Sequence, residues 1–332
     1  MRVVTSPDPD VWSRYVSEHP HGNIFQTPEM NLVYNSTENY QPLVLALVDE
    51  NSEILSLLQA VVIRQVRYLG RFASRLVIQG GPLVSKNKKA YKTIEILLKN
   101  LDNAICKKVI YSEIRNMWDT RDIHQTLCEA GYKYTPHINF LIDLRKSPEE
   151  IFLKFKRDKK RAVRKAKNSG IKIKIANKLE EIEEFYRIIS ETYKRAGIPK
   201  PHRSLFFSVF KILSRRNLAK FFLADLDGEI IAGRLVLCYK DTIFDWYAGS
   251  KKDFMRYYPN ELLVWYILKW GSENNYSVFD FGGAGDPRVE YGVRDFKKRF
   301  GGKKVEFGRY KKVYSPIILK MVETGLKVLK GW

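Results

Sequence analysis

Residues 220–248, KFFLADLDGEIIAGRLVLCYKDTIFDWYA, decide the fold. Apolar runs at 220–226, 230–239 and 242–248 are joined through the turn pairs Asp227-Gly228 and Lys240-Asp241. Two-residue spacers of this kind are hairpin turns, because turns with positive φ match the right-handed twist of the flanking strands. The stretch therefore reads as a three-stranded antiparallel meander. On its C-terminal side a helical pattern at 260–274 leads to an apolar strand at 277–281, so the sheet is mixed. On its N-terminal side lie two helical patterns, 179–196 and 202–215. Before them, 171–175 alternates apolar and polar residues with the period of a half-buried strand. Ser147-Pro148-Glu149-Glu150 fits a capping box with proline at the first helical position, and the helix it opens is expected to run to about 168, where Gly170 stops it.

The first part of the chain repeats this order. Helical signals at 8–18 and after Thr27-Pro28 precede apolar strands at 42–48, 54–63 and 75–79. A helix at 88–105 follows, with Ile94, Leu97, Leu98, Leu101 and Ile105 at helical spacing. Then come a strand at 108–114, a helix at 121–130 stopped by Gly131, and a strand at 134–143. Each half thus reads helix, helix, meander, helix, strand. The order repeats without repeating residue identities, and the expected boundary falls near 145.

A chain of 332 residues, 45% hydrophobic and 29% charged, is a folded globular protein with room for two domains. No apolar run reaches the length of a spanning helix, and the opening MRVVTSPDPD does not read as a signal peptide. Cys106, Cys128 and Cys238 form no CxxC pair, so neither a disulfide framework nor a thiolate zinc site is expected. His19 and His21 have no acidic partners at ligand spacing, His124, His137 and His202 are scattered, and no metal site is expected. The expected compartment is the cytoplasm. Charge is uneven: residues 1–140 carry 16 basic and 14 acidic side chains, residues 141–332 carry 42 and 23. The second half therefore attracts anions, and its densest stretch, 154–178, holds twelve lysines and arginines against Asp158 alone. Arg157, Arg161, Arg164 and Asn168 share one helical face there. That face lacks aromatics for base stacking, so it suits a phosphate backbone or a pyrophosphate; a solvated helix is the other reading.

Four stretches carry a family resemblance. They are Arg161-Ala-Val-Arg164-Lys165-Ala166 with Gly170, Ala224-Asp-Leu-Asp-Gly228-Glu-Ile-Ile-Ala-Gly233, Trp246-Tyr247-Ala-Gly249-Ser250, and Phe279-Asp280-Phe281-Gly282-Gly283 followed by Gly292-Val-Arg-Asp-Phe296-Lys297-Lys-Arg-Phe300-Gly301. In order and spacing they resemble the FemABX peptidoglycan aminoacyltransferases over about 150–310. The resemblance implies an α/β fold of two tandem GNAT-like domains, each a mixed, largely antiparallel sheet flanked by helices, at 1–144 and 145–314, with a C-terminal amphipathic helix at 315–332. It implies transfer of an aminoacyl group to an amine of a cell-envelope precursor, with aminoacyl-tRNA or acyl-CoA as co-substrate and no resident cofactor.

The same resemblance puts Lys297, next to Phe296, in the catalytic position. A lysine ammonium held on a strand or tight loop stabilises the oxyanion of amide formation. Asp280 is read as a proton acceptor or as the partner that fixes Lys297, an ion pair holding the Gly-rich loop being the plainer alternative. Substrate contacts are expected from Arg203, whose guanidinium suits a phosphate, and from Tyr247, Arg161, Arg164 and Gly282. Two features argue against relatives' usual donors. Only one helix is expected between Ser147 and Gly170, where FemABX members carry a long hairpin linked to tRNA. After Ser250 there is no glycine of the kind that cradles the CoA pyrophosphate in GNAT enzymes. A non-catalytic nucleic-acid-binding protein explains the charge but not Phe296-Lys297. The last helix groups Ile317, Ile318, Met321, Val322, Leu326, Leu329 and Trp332 beside Lys320, Lys327 and Lys330. That pattern fits peripheral membrane contact or docking on the domain.

Overall fold

The computed structural model describes residues 1–64, 74–85 and 90–329. In it the meander is β10 (Ala219–Leu226), β11 (Glu229–Tyr239) and β12 (Thr242–Ser250). Asp227 and Gly228 have φ of 54° and 87°, the paired left-handed conformation that such a turn demands, and Lys240 has φ of 52°. Asp225 Oδ1 accepts the Gly228 N–H at 2.9 Å and closes the first turn.

These strands belong to a unit spanning His137–Glu306. Its sheet runs β14 (Lys303–Glu306), β8 (Ile138–Asp143), β13 (Val278–Gly283), β12, β11, β10, β9 (Lys172–Ile175). All neighbours are antiparallel except β12 and β13, which are parallel because helix α9 (Pro259–Glu273) carries the chain back between them. Helices α5 (Pro148–Leu153), α6 (Arg157–Asn168), α7 (Leu179–Arg195), α8 (Arg203–Ile212) and α10 (Gly292–Lys298) complete it. Two glycines let α7 lie close to the sheet: a Cβ at Gly233 would stand 2.5 Å from the Phe185 ring, and one at Gly249 would stand 2.8 Å from Thr192 Oγ1. The core joins sheet residues such as Phe222, Val236 and Phe279 to the inner face of α9 and to Phe155 and Phe300.

The other unit comprises Met1–Pro136 and Phe307–Trp332. Its described strands form one sheet, β1 (Arg2–Val4), β2 (Tyr40–Val48), β3 (Ile54–Arg64), β4 (Ser74–Gln79), β6 (Tyr111–Arg115), β15 (Arg309–Val313), β7 (Lys133–Thr135), with β5 (Leu83–Val84) on β3. Here too one neighbouring pair is parallel, β4 with β6, across helix α3 (Ala90–Ile105). Helices α1 (Pro9–Glu18), α2 (Pro28–Asn35), α4 (His124–Glu129) and α11 (Pro316–Leu329) complete this unit. Asp8 caps α1 and Thr27 caps α2, each followed by proline at the first turn.

The division differs from the expected one. The strand expected at 134–143 is two strands: β7 pairs with β15 and β8 pairs with β13 and β14. Pro136, which has no N–H to give a ladder, separates them. The boundary therefore lies at 136/137 instead of near 145, and the segment after Glu306 returns to the first sheet instead of closing the second domain. The single helix expected at 147–168 is also two. The Ser147 capping box opens α5, but Lys156 is extended (φ −64°, ψ 153°) and its N–H goes to Arg299 O at 2.9 Å. Phe155, packed on Trp265 and Phe300 with centroids 5.9 and 5.0 Å away, takes the place of a continuous helical turn. Leu326, Leu329, Trp332, Lys327 and Lys330 fall outside the described side chains. Of the rest of the predicted amphipathic face, Ile317 (72% exposed) and Met321 (68%) stand in solvent. Among the described residues no helix is long and apolar enough to cross a membrane.

Candidate active site

The parallel ladder between β12 and β13 is short. Thr242, Ile243 and Phe244 pair with Val278, Phe279 and Asp280, and no pair follows, although β12 continues to Ser250 and β13 to Gly283. At the same level the β11–β12 register slips: Leu235 faces Tyr247 and Val236 faces Asp245, leaving Trp246 as the extra residue of a bulge. A bulge bends its strand away from its neighbour, so the two parallel strands part beyond Phe244 and Asp280.

Charged side chains are buried where the strands part. Arg234 and Asp245, 4% and 8% exposed, form an ion pair between neighbouring strands. Asp245 Oδ1 and Arg234 Nε make no hydrogen bond among the described residues. Burial raises the Asp245 carboxyl above its usual range, against the pull of Arg234 and Lys297. Asp280, 3% exposed, accepts from Asn139 Nδ2 at 3.0 and 3.3 Å and from the Gly282 N–H at 2.8 Å. Burial pushes it up to about 6 in spite of those donors and of the nearby Lys297 ammonium. Gly282 has φ of 66°, and a Cβ there would stand 3.1 Å from Asp245 O, so this crossing needs a glycine.

Lys297 is half-buried, and its Nζ donates to Phe281 O at 2.6 Å and Gly283 O at 2.8 Å, with Gly282 O at 3.5 Å. The ammonium is thus fixed on the carbonyl end of β13, in the field of Asp245 and Asp280. It reaches that place from helix α10, not from the expected strand or tight loop. Phe296 lies beside it in sequence and packs on Phe300 at 5.1 Å. The loop before α10 is gathered by Arg294, which donates to the carbonyls of Ala284 (3.2 Å), Asp286 (2.7 Å), Pro287 (3.2 Å) and Val289.

A basic groove lies between α6 and α10. It has a volume of about 1050 Å³ and its lining includes Lys156, Arg157, Arg161, Arg164, Lys298 and Arg299, with Asp158 and Asp295 as its acids. Asp158 is already engaged by Arg299 at 2.9 Å. The opposite edge of α6 is apolar: Ala162, Val163 and Ala166 are buried. Arg161 and Arg164 therefore face outward together, as the spacing predicts.

Arg203 and Tyr247 stand in a different neighbourhood. Arg203 opens α8, pairs with Glu183 at 2.6 Å and lies over the Phe207 ring at 5.0 Å. Tyr247 sits on β12 just past the bulge, against Phe206 (5.1 Å), Trp246 (5.0 Å) and Tyr193 (6.2 Å). The structure thus joins Lys297, Asp280 and Gly282 in one cluster, Arg161 and Arg164 in another, and Arg203 with Tyr247 around α8. Sequence reasoning missed Asn139, Arg234 and Arg294. A lone charged residue inside the apolar run 230–239 is a usable signal for Arg234; Asn139 and Arg294 carry none.

The segment after Ser250 also differs from a phosphate-cradling loop. It is a 3₁₀ turn, Lys252–Tyr257, and α9 starts at Pro259 behind Tyr258 in the left-handed conformation (φ 59°). Pro259 gives no N–H at the position where a cradle needs one.

Comparison with known proteins agrees with this architecture. The acetyltransferase (GNAT) domain family model matches residues 154–298, which hold the meander, the parted strands and Lys297. The chain is 23% identical over 321 residues to the UDP-N-acetylmuramoylpentapeptide-lysine N(6)-alanyltransferase of Weissella viridescens, covering 90% of this chain and 92% of that protein. The crystal structure of FemX superposes with a TM-score of 0.73 at 18% identity over 97% of this chain and 100% of the other. A tandem GNAT protein from the clavulanic acid biosynthesis pathway superposes with a TM-score of 0.57 at 8% identity, over 95% and 99% of the two chains. The unit that bears Phe296-Lys297 thus carries a GNAT-type meander and parallel strand pair, and through both of its units the chain is similar to a FemX-type alanyltransferase.

Proposed function

We propose that this protein joins an aminoacyl group to an amine of a cell-envelope precursor, drawing it from aminoacyl-tRNA. The observation that carries the reading is the Lys297 ammonium, tied to two carbonyls at the end of β13 beside buried Asp280, where β12 and β13 part. The amine nitrogen of the precursor attacks the ester carbonyl carbon. The carbonyl oxygen takes up negative charge as the tetrahedral intermediate forms. The C–O ester bond then breaks, the tRNA ribose oxygen leaves with a proton, and the nitrogen gives one up. Lys297 steadies the oxyanion by exchanging one of its carbonyl partners for that oxygen, in a site shielded enough for the charge to count. Phe296 keeps that helix seated. Asp280, with its oxygens already engaged, acts as a positioning residue: its charge holds the ammonium and its Gly282 contact shapes the strand end.

The donor ester is already activated, so this reading calls for no resident cofactor. Arg161 and Arg164 in the basic groove suit the phosphates of the tRNA backbone. Acyl-CoA is the weaker donor, because the start of α9 lacks the cradle described above. Arg203 and Tyr247 are assigned to the phosphorylated acceptor, with Arg203 exchanging Glu183 for a phosphate. Exposed Ile317 and Met321 on α11 are assigned to peripheral contact with the membrane face that presents lipid-linked precursors. The deciding experiment incubates the pure protein with charged bacterial tRNA or acyl-CoA and with UDP-linked muramoyl pentapeptide, and reads amide products by mass. An aminoacyl adduct formed only with charged tRNA is expected. An acyl adduct from acyl-CoA overturns the donor assignment, and no adduct from either overturns the reading.

A further inference from the structure

Helix α10 is short and none of its residues is fully buried, yet it must set the position of Lys297. What holds it from below is Lys159, on α6. This lysine is 8% exposed, a rare place for an ammonium. Its Nζ pairs with Glu261 at 2.7 Å, the partners' side chains being 10% and 12% exposed. The same Nζ stands 4.2 Å from the centroid of the Phe296 ring and 5.6 Å from that of Phe300. A desolvated cation over an aromatic face is a directional contact and resists rotation of the ring. Phe296 precedes Lys297 directly, so a turn of α10 that shifts the ring also swings the ammonium off the β13 carbonyls. Glu261 in turn lies in the first turn of α9, whose positive end favours its carboxylate.

We propose that Lys159 is a positioning residue for Lys297, clamping the Phe296 ring so that the ammonium stays on the end of β13. The proposal rests on the transferase reading above. Because α6 also lines the basic groove, the clamp ties the donor-binding helix to the chemical centre through one side chain.

The test replaces Lys159 by Met, which keeps the volume beneath the ring and removes the charge. With charged tRNA and UDP-linked muramoyl pentapeptide, kcat is expected to fall about tenfold, while KM for the charged tRNA stays within twofold. A second readout needs no turnover: acylation of Lys297 by limiting acetic anhydride, measured by peptide mass against exposed Lys252. It is expected to rise at least threefold in Lys159→Met, and Lys159→Arg, which keeps a cation on the ring, is expected to restore both measures. A kcat within twofold of native with unchanged Lys297 labelling overturns the proposal, as does a loss confined to KM. Should Lys159→Met fail to fold, Glu261→Gln frees the lysine from its partner and is expected to move both readouts in the same direction; unchanged values overturn the proposal. If the native protein makes no amide at all, the transferase reading fails, and the labelling still decides whether Lys159 positions Lys297.

Discussion

The two parallel strand pairs of this molecule have the same origin and opposite ends. In the first unit β4 pairs with β6 along its length, from Arg75 with Tyr111 to Gln79 with Arg115. In the second β12 and β13 part after three pairs. The first pair ends against amide side chains: Gln26 Nε2 donates to Gln79 O at 2.8 Å and to Gln59 O at 3.1 Å, and Asn23 Nδ2 donates to Gly80 O at 2.6 Å. The second ends on carboxylates, a guanidinium and an ammonium. Buried polar side chains follow the same divide. Among the described residues, those of the first unit are neutral or histidine, whereas the second buries Lys159, Arg234, Asp245 and Asp280. Neutral amides satisfy a backbone at little cost, while buried charges are costly and persist where they have work to do. A shared layout thus ends on neutral amides in one unit and on buried charges in the other, the contrast on which the proposed chemistry rests.

Four variants test this contrast, ranked by their effect on product formation. Lys297→Met is expected to lower kcat about 10²- to 10³-fold, the usual loss for one oxyanion donor. Circular dichroism and the melting curve should stay native. Turnover within threefold of native would place the chemistry outside the parted strands.

Asp280→Asn should cost about tenfold in kcat, the loss of one charge partner of the ammonium. It also has a pH signature. Burial pushes the Asp280 carboxyl up to about 6 in the folded chain, against an ordinary aspartate value of about 3.9 in the unfolded one. Between those values the folded chain holds a proton that the unfolded chain has lost. This group's stabilising contribution is therefore present below about pH 4 and is lost as pH rises through 6, on the order of 3 kcal/mol. Denaturant unfolding between pH 4.5 and 7.5 should show this slope in the native protein and a flatter one in the variant. Equal slopes would show that the carboxyl is not desolvated.

The double variant Arg161→Glu, Arg164→Glu addresses the groove. Binding of charged tRNA should weaken about tenfold at low salt, and the slope of log affinity against log salt should become shallower by about 1.5. An unchanged slope would move the polyanion elsewhere. The mildest effect on product is expected from Gln59→Leu in the closed unit. Gln59 Nε2 bonds Phe25 O at 2.7 Å and Thr27 O at 3.1 Å, and its loss leaves buried carbonyls unpaired. Stability should drop by about 2 kcal/mol, with kcat per folded molecule unchanged. A fall in kcat would mean the first unit takes part in the chemistry.

The sequence reveals the local half of this design. Strand alternation, the Asp227-Gly228 turn, the Ser147 cap and the apolar face of α3 are written in neighbouring residues, and the predicted elements match. What escaped depends on distant pairing. Asn139 meets Asp280 across 141 positions and Lys159 meets Glu261 across 102. The break between α5 and α6 comes from Phe155 packing on residues far along the chain, and helical spacing continues through it unmarked. Lys297 was legible through its family motif, but its carbonyl partners were not, because a helix and a strand end have to meet before that contact exists.

The chain's second crossing has a consequence for biosynthesis. Strand β15 lies inside the first sheet, between β6 and β7, with Tyr310 1% exposed and Tyr314 bonded to Asp102 at 2.5 Å. Its residues leave the ribosome only after the whole of His137–Glu306. The second unit, being continuous, has all its strands available first, while the first unit waits with an unfilled slot in its sheet. A chain released shortly before residue 309 would therefore carry every strand of the second sheet beside a first sheet that lacks one of its inner strands.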